Sequence, residues 1–234
     1  MRISKTLCAS LLGLATALVG GEALAQEHWS LLGGDTVRRG NDMIYGELGW
    51  PDVGFGWAHG VGDKVDIGLR LGLIYGVEYR TYTDFGVDLK VPIRIQVART
   101  GKVSALIHID PGVKVYTGGR IDGNALFGPE FPIGVQIGIH ITPEFQVDIG
   151  MDVNMFLAVT ADRAINPVFA IAPLFGPGVE YHVDHSLGIG LNTRFGPSIF
   201  ADGANCNFGG FNVCGGLGNV DFGFLFQADI MYHF

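Results

Sequence analysis

The sequence predicts an all-β fold: a closed antiparallel transmembrane β-barrel, with ten strands preferred and eight possible. Three observations carry that prediction. Beyond residue 40 the chain alternates apolar and polar residues again and again, and wherever the alternation is clear its apolar face bears no charge. Phe85, Val87, Leu89, Val91, Ile93, Ile95 and Val97, for example, oppose Asp84, Gly86, Asp88, Lys90, Pro92, Arg94, Gln96 and Ala98. A repeat of two is the signature of a strand whose faces meet different surroundings. The runs are also long, about 14 residues where soluble strands average five or six and a tilted membrane-crossing strand needs about 9–11. Finally, the polar face is rich in Gly, where a face turned to water usually carries Lys, Glu and Thr.

Taken in order, the chain opens with Arg2 and Lys5, an apolar run from Leu7 to Val19 and the small-residue pattern Ala23-Leu24-Ala25. This reads as a signal peptide over residues 1–25, with the mature protein starting near Gln26. Cys8 sits inside the apolar run and not directly after the cleavage pattern, which argues against a lipid anchor. The run is too short to span as a helix, and no later stretch of 18 apolar residues follows. Residues 26–40 form an N-terminal lead that either fills the lumen or hangs free, and residues 41–234 form the barrel. Strands are expected near 43–50, 53–60, 65–76, 85–98, 103–115, 126–141, 145–158, 168–182, 186–200 and 221–234. The short connections 61–64, 99–102, 142–144 and 183–185 alternate with the longer 77–83, 117–125, 159–167 and 201–220, so the two ends of the barrel differ. Only the Pro51-Asp52 corner breaks the rule. Tyr75, Tyr79, Tyr82, Phe85, Phe127, Phe145, Phe156, Phe169, Tyr181, Phe200 and Tyr232 are placed for two aromatic girdles. Pro92, Pro111, Pro132, Pro173, Pro177 and Pro197 fall inside expected strands and imply bulges or bends there.

Without residues 1–25, 13 basic face 22 acidic side chains. That excess, with no basic cluster, gives no footing for nucleic acid. Cys206 and Cys214 survive processing and, in an oxidising compartment, most simply form a loop disulfide.

The polar face carries Glu47, Asp66, Asp84, Asp88, Asp110, Glu130, Asp148, Asp152, Glu180, Asp221 and Asp229 against Arg70, Lys90, Arg94, Lys114 and Arg194. Of these, Asp88, Arg94, Asp110, Lys114, Asp148, Asp152, Arg194 and Asp229 are the principal lumen or pore candidates. They imply either an interior filled by cross-strand ion pairs, with glycines making room, or a narrow wet path preferring cations. A wet lumen would accept Arg at Gly138 or Gly150. Two alternatives stand beside the structural or narrow-pore role for small solutes: an outer-membrane enzyme acting on lipid or surface substrates, and a soluble periplasmic all-β binding protein. Histidine placement disfavours the enzyme, because His59, His140, His182, His185 and His233 gather at the short-turn end and Ser198 has no histidine at its level. No Gly-x-Ser-x-Gly motif occurs in the mature chain. His182-Val183-Asp184-His185 reads as a solvated turn more than a metal site, and no cofactor motif is present.

The final strand alternates without a break, with Phe222, Phe224, Phe226, Ala228, Ile230, Tyr232 and Phe234 on one face. Together with the signal peptide, it resembles the bacterial outer-membrane β-barrel proteins, porin-like small barrels of the Gram-negative envelope. The resemblance implies outer-membrane location, contact with lipid, and use of periplasmic chaperones and the barrel-assembly machinery. Phe222, Phe224, Phe226, Tyr232 and Phe234 would carry that assembly signal. Monomer and homo-oligomer both remain open.

Overall fold

A computed structural model describes residues 29–76, 85–117, 125–160, 168–202 and 219–234. Its described elements are all strands, and each pairs antiparallel with its neighbours. The first three are Asp42–Trp50, Asp52–Gly62 and Val65–Ile74. The next three each come as two segments: Phe85–Lys90 with Ile93–Thr100, Val103–Ile109 with Gly112–Thr117, and Leu126–Glu130 with Ile133–His140. Phe145–Thr160, Val168–His182, Leu187–Asp202 and Asn219–His233 complete ten strands. Every strand pairs with the next, and the tenth returns to the first in register from Met43↔His233 to Trp50↔Phe226. The sheet is therefore closed, and closure removes the unpaired edges that an open sheet would present.

Prolines split the fourth, fifth and sixth strands. Pro92, Pro111 and Pro132 have no N–H to donate, yet the carbonyl of each accepts from an adjacent strand: Gly68 N–H to Pro92 at 2.7 Å, Val91 to Pro111 at 2.9 Å and Asp110 to Pro132 at 2.9 Å. The three breaks thus line up as one seam across neighbouring strands. Side-chain parity runs through it unchanged, with Leu89 and Val91 outward before the break and Ile95 outward after it. Each split strand is a single strand with a local gap.

The faces are inverted relative to a soluble protein. Leu48, Phe55, Leu73, Phe85, Phe175 and Phe222 are each more than half exposed, whereas Asp66, Asp88, Lys114, Glu130, Asp148 and Glu180 are essentially inaccessible. The soluble rival would turn this apolar face inward, and the structure turns it outward. Of the expected girdle residues, Phe85, Phe127, Phe169, Tyr181 and Tyr232 lie exposed. Phe156 does not: it follows the parity of Asp152 and Asn154, points inward and is buried. Tyr75 is half-buried and gives its hydroxyl to the Gly49 carbonyl. Tyr79, Tyr82 and Asp84 lie outside the described residues, as do Cys206, Cys214 and residues 1–28.

Connections at one end are short. Asp63-Lys64, Gly101-Lys102, Ile141–Glu144 and Val183–Ser186 join strands there, beside both Asp42 and Phe234. At the far end only Pro51 separates the first two strands, and its carbonyl accepts from both Tyr75 and Gly76.

Ile137 and Ile149 are register partners, and both are exposed, as is Ile107. Arg at any of the three should destabilise the barrel in lipid by about 2–4 kcal/mol, read from denaturant-driven unfolding in vesicles. Costs near zero would place these residues away from hydrocarbon.

Candidate functional site

The lumen is occupied in three tiers. At the short-turn end the N-terminal lead enters the barrel, and Trp29, Ser30, Leu32, Asp35, Thr36 and Val37 are all buried. Side chains of the wall hold its backbone. Glu180 Oε2 accepts from the Ser30 hydroxyl at 2.9 Å and from the Leu31 and Leu32 N–H groups at 3.2 and 3.0 Å. Arg94 Nη1 donates to the Ser30 and Leu31 carbonyls at 2.7 and 3.2 Å, and Gln96 donates to the Gly34 carbonyl at 3.0 Å. Val37 N–H reaches Asp66 at 2.7 Å. Asp35 is met by His140 at 2.8 Å, Ser104 at 3.1 Å, Gln96 at 2.8 Å and Arg99 at 3.5 Å. Burial pushes the Asp35 carboxyl up, but His140, Arg99 and Ser104 together outweigh it and hold the group below the usual carboxylate range. The Trp29 ring stacks on His233 at 5.1 Å and meets His182 edge-on at 4.6 Å, while its N–H donates to the His185 carbonyl at 3.0 Å.

Small residues permit this close seating. A Cβ on Gly34 would fall 2.2 Å from the Ser104 backbone carbon. Within the described part of the lead, residues 29–37 sit inside the lumen, and Arg39 and Gly40 lie exposed at its mouth.

Above the plug lies a charge network. Arg70 donates to Glu47 at 2.5 Å, Asp52 at 2.9 Å and Asp88 at 3.1 Å. Lys90 joins Asp88 at 3.1 Å and Glu130 at 3.6 Å, and Lys114 reaches Glu130 at 3.1 Å. Arg94 and Asp66 form a two-toothed pair, 2.8 Å at each contact. His108 bridges Asp110 and Asp152 at 2.8 Å each, and Arg194 adds a contact to Asp152 at 3.1 Å and to the Gly176 carbonyl at 2.9 Å. Asp148 accepts from Gln146 at 2.7 Å, and Asp229 from Asn192 at 3.3 Å. The eight principal candidates thus face one interior, each against a named partner. Asp221 is the exception among the charges expected inside, because it lies exposed near the far rim.

Glycines make the required room. A Cβ on Gly54 would meet Glu47 and Arg70, and one on Gly150 would sit 2.2 Å from Arg194. Gly138 faces Gln146 and Gly34. Arg at Gly138 or Gly150 therefore has no wet space to enter, contrary to the expectation for an open lumen. Within this network lies a cavity of about 150 Å³, lined among others by Leu31 and Leu32 of the plug, Arg70, Arg194 and His108.

The third tier, toward the far end, is apolar. Ile74, Tyr116, Leu126, Phe156, Ala170, Ala172 and Leu174 form one buried cluster, with Leu225 against it. Leu174 and Leu225 also line the cavity, so this cluster roofs it.

Of the assembly residues, Phe222, Phe226, Tyr232 and Phe234 lie exposed on the outer face, and Phe224 stacks on Trp50 at 5.7 Å. The His182–His185 turn is shaped by Asp184, whose carboxylate accepts the Ser186 and Leu187 N–H groups at 2.7 and 2.8 Å. Those N–H groups hold it below the usual carboxylate range. Among the described residues no cluster of three or more His, Cys, Asp or Glu is arranged to hold a metal ion.

Sequence reasoning passed over Asp35, Asp52, Gln96, Ser104 and Gln146. Their signal was the lead itself, where Trp29, Leu31, Leu32 and Val37 need burial and Asp35 then needs donors.

No protein-family description matches the chain, and no curated protein matches it by sequence. Seven chains among the solved structures match. One is the outer membrane protease OmpT from Escherichia coli, 8% identical, with 83% of this chain and 93% of that chain covered and a TM-score of 0.37. The barrel architecture rests on the strand pairings described above.

Arg70 has three carboxylates around it, so removing the guanidinium leaves buried negative charge uncompensated. Arg70→Ala should lower stability by about 3–5 kcal/mol in urea titrations in detergent, well beyond the effect of truncating an exposed Lys102.

Proposed function

We propose that this protein resides in the outer membrane as a β-barrel closed at rest, with a structural or slow, narrow passive-pore role for small solutes. The observation that carries this reading is the filled lumen: a plug, an ion-paired middle and an apolar roof in series. Support for the location comes from the outward apolar belt, since a closed ladder is the way a β-chain satisfies its backbone in hydrocarbon. The signal peptide at 1–25 and the terminal aromatic strand agree with it. Assembly through periplasmic chaperones and the barrel-assembly machinery, with Phe222, Phe224, Phe226, Tyr232 and Phe234 as the recognised residues, belongs to the same proposal. In this orientation the short turns and the plug face the periplasm.

The enzyme alternative asks for a histidine with an acidic partner open to the exterior. His108 has the acidic partners, but both its ring nitrogens are engaged and it sits beneath the apolar tier. Neither nitrogen is left to take a proton from a substrate.

Refolded mature protein in a planar bilayer should insert, as shown by heat-shifted gel migration, and stay near baseline current for most of the recording. Rare openings should show a cation-shifted reversal potential, because lumen carboxylates outnumber the cations. A steady open conductance from the unmodified protein would overturn the closed reading.

A further inference from the structure

Resting on that closed-barrel reading, we propose that the periplasmic mouth is a binding site for a short bent peptide, and that residues 29–40 are its displaceable occupant. The barrel does not need this segment to close, since its ladder runs from the tenth strand directly to the first. Among the described contacts, backbone pairing between the segment and the wall is confined to Arg39, Gly40 and Asn41 beside Gly60. Every deeper hydrogen bond involves at least one side chain, so the plug leaves without breaking a strand pair of the wall.

The seat has the features of a peptide-binding groove. Arg94, Gln96 and Glu180 grip main-chain groups of Ser30, Leu31, Leu32 and Gly34, in a segment bent so that the consecutive Leu31 and Leu32 N–H groups reach one Glu180 oxygen and Gly33 N–H reaches the Ser30 hydroxyl. Selectivity comes from two side-chain positions: the slot between His182 and His233 that takes an indole, and the donors at His140, Ser104 and Gln96 that take a carboxylate. In the resident segment Trp29 and Asp35 fill them. The tether also has a pivot. Gly40 has φ +83°, a conformation that glycine adopts without strain, and a Cβ there would touch nothing within 4 Å. The segment is thereby joined to the first strand through a glycine whose N–H is held by the Gly60 carbonyl at 2.8 Å.

The test uses the full mature chain with Cys206→Ser and Cys214→Ser, and Thr36→Cys as a reporter, because Thr36 is buried in the plug. A small charged maleimide is added at the periplasmic mouth of the folded protein. Labelling should run at least tenfold slower than at Lys102→Cys in an exposed turn. A synthetic peptide spanning residues 29–40 should then accelerate labelling several-fold by taking the seat, and a scrambled peptide should not. Asp35→Asn in the same chain should accelerate it without added peptide, with folding checked by heat-shifted migration. Labelling that stays slow with the peptide present would make the segment a fixed filler and overturn the proposal, and that arm needs no change at Asp35. Steady conductance of the unmodified protein, by contrast, would strike the closed-barrel reading while leaving the cysteine result to stand by itself.

Discussion

Everything in this molecule depends on the closed ring of backbone hydrogen bonds between ten strands. In hydrocarbon an unpaired N–H or carbonyl costs several kcal/mol, so the wall must satisfy itself before any side chain matters. Once it does, strand alternation fixes what each residue faces. Odd positions of the fourth strand, from Phe85 to Ile95, look outward, and even ones, such as Asp88 and Arg94, look in. The three proline gaps are compatible with the ring because each proline keeps its carbonyl in use, and because parity continues across the gap.

The interior follows from the same alternation. Ten inward-facing rows bring more carboxylates than cations into a tube that lets in little water, and each needs a donor. Arg70 answers three carboxylates, and the N-terminal lead supplies hydroxyl and backbone N–H donors to Glu180 and Asp66. The lead therefore serves the wall as much as the wall holds the lead. Such buried pairs add little net stability over apolar packing, but each broken one is costly, so the arrangement favours one definite interior over many near-equivalent ones.

Facing was legible in the sequence because period-two alternation is local, and strand number to a choice of ten or eight, since the alternation is weaker at 43–50 and 53–60. Phe156 shows where compositional reading misleads: an aromatic near a strand end suggests a girdle, but its parity with Asp152 sends it inward. The plug was legible only as an open alternative. Trp29, Leu31, Leu32 and Val37 ask for burial, but the donors that seat Asp35 come from positions 96, 104 and 140, so the lead alone does not say where it is buried. Likewise, Asp52 reads as a turn residue until the fold brings Arg70 to it.

A buried apolar cluster stands at each end of the lumen. A hydrated ion approaching from the far rim meets Tyr116, Leu126, Phe156 and Leu174, surfaces that offer nothing in place of its water shell. At the opposite end it meets a second apolar cluster, Trp29, Val37, Met43, Tyr45, Ala58 and Met231, interleaved with the groups that seat the plug. The small chamber thus lies between two apolar clusters, and an ion entering it from either end sheds water before it meets the charges inside.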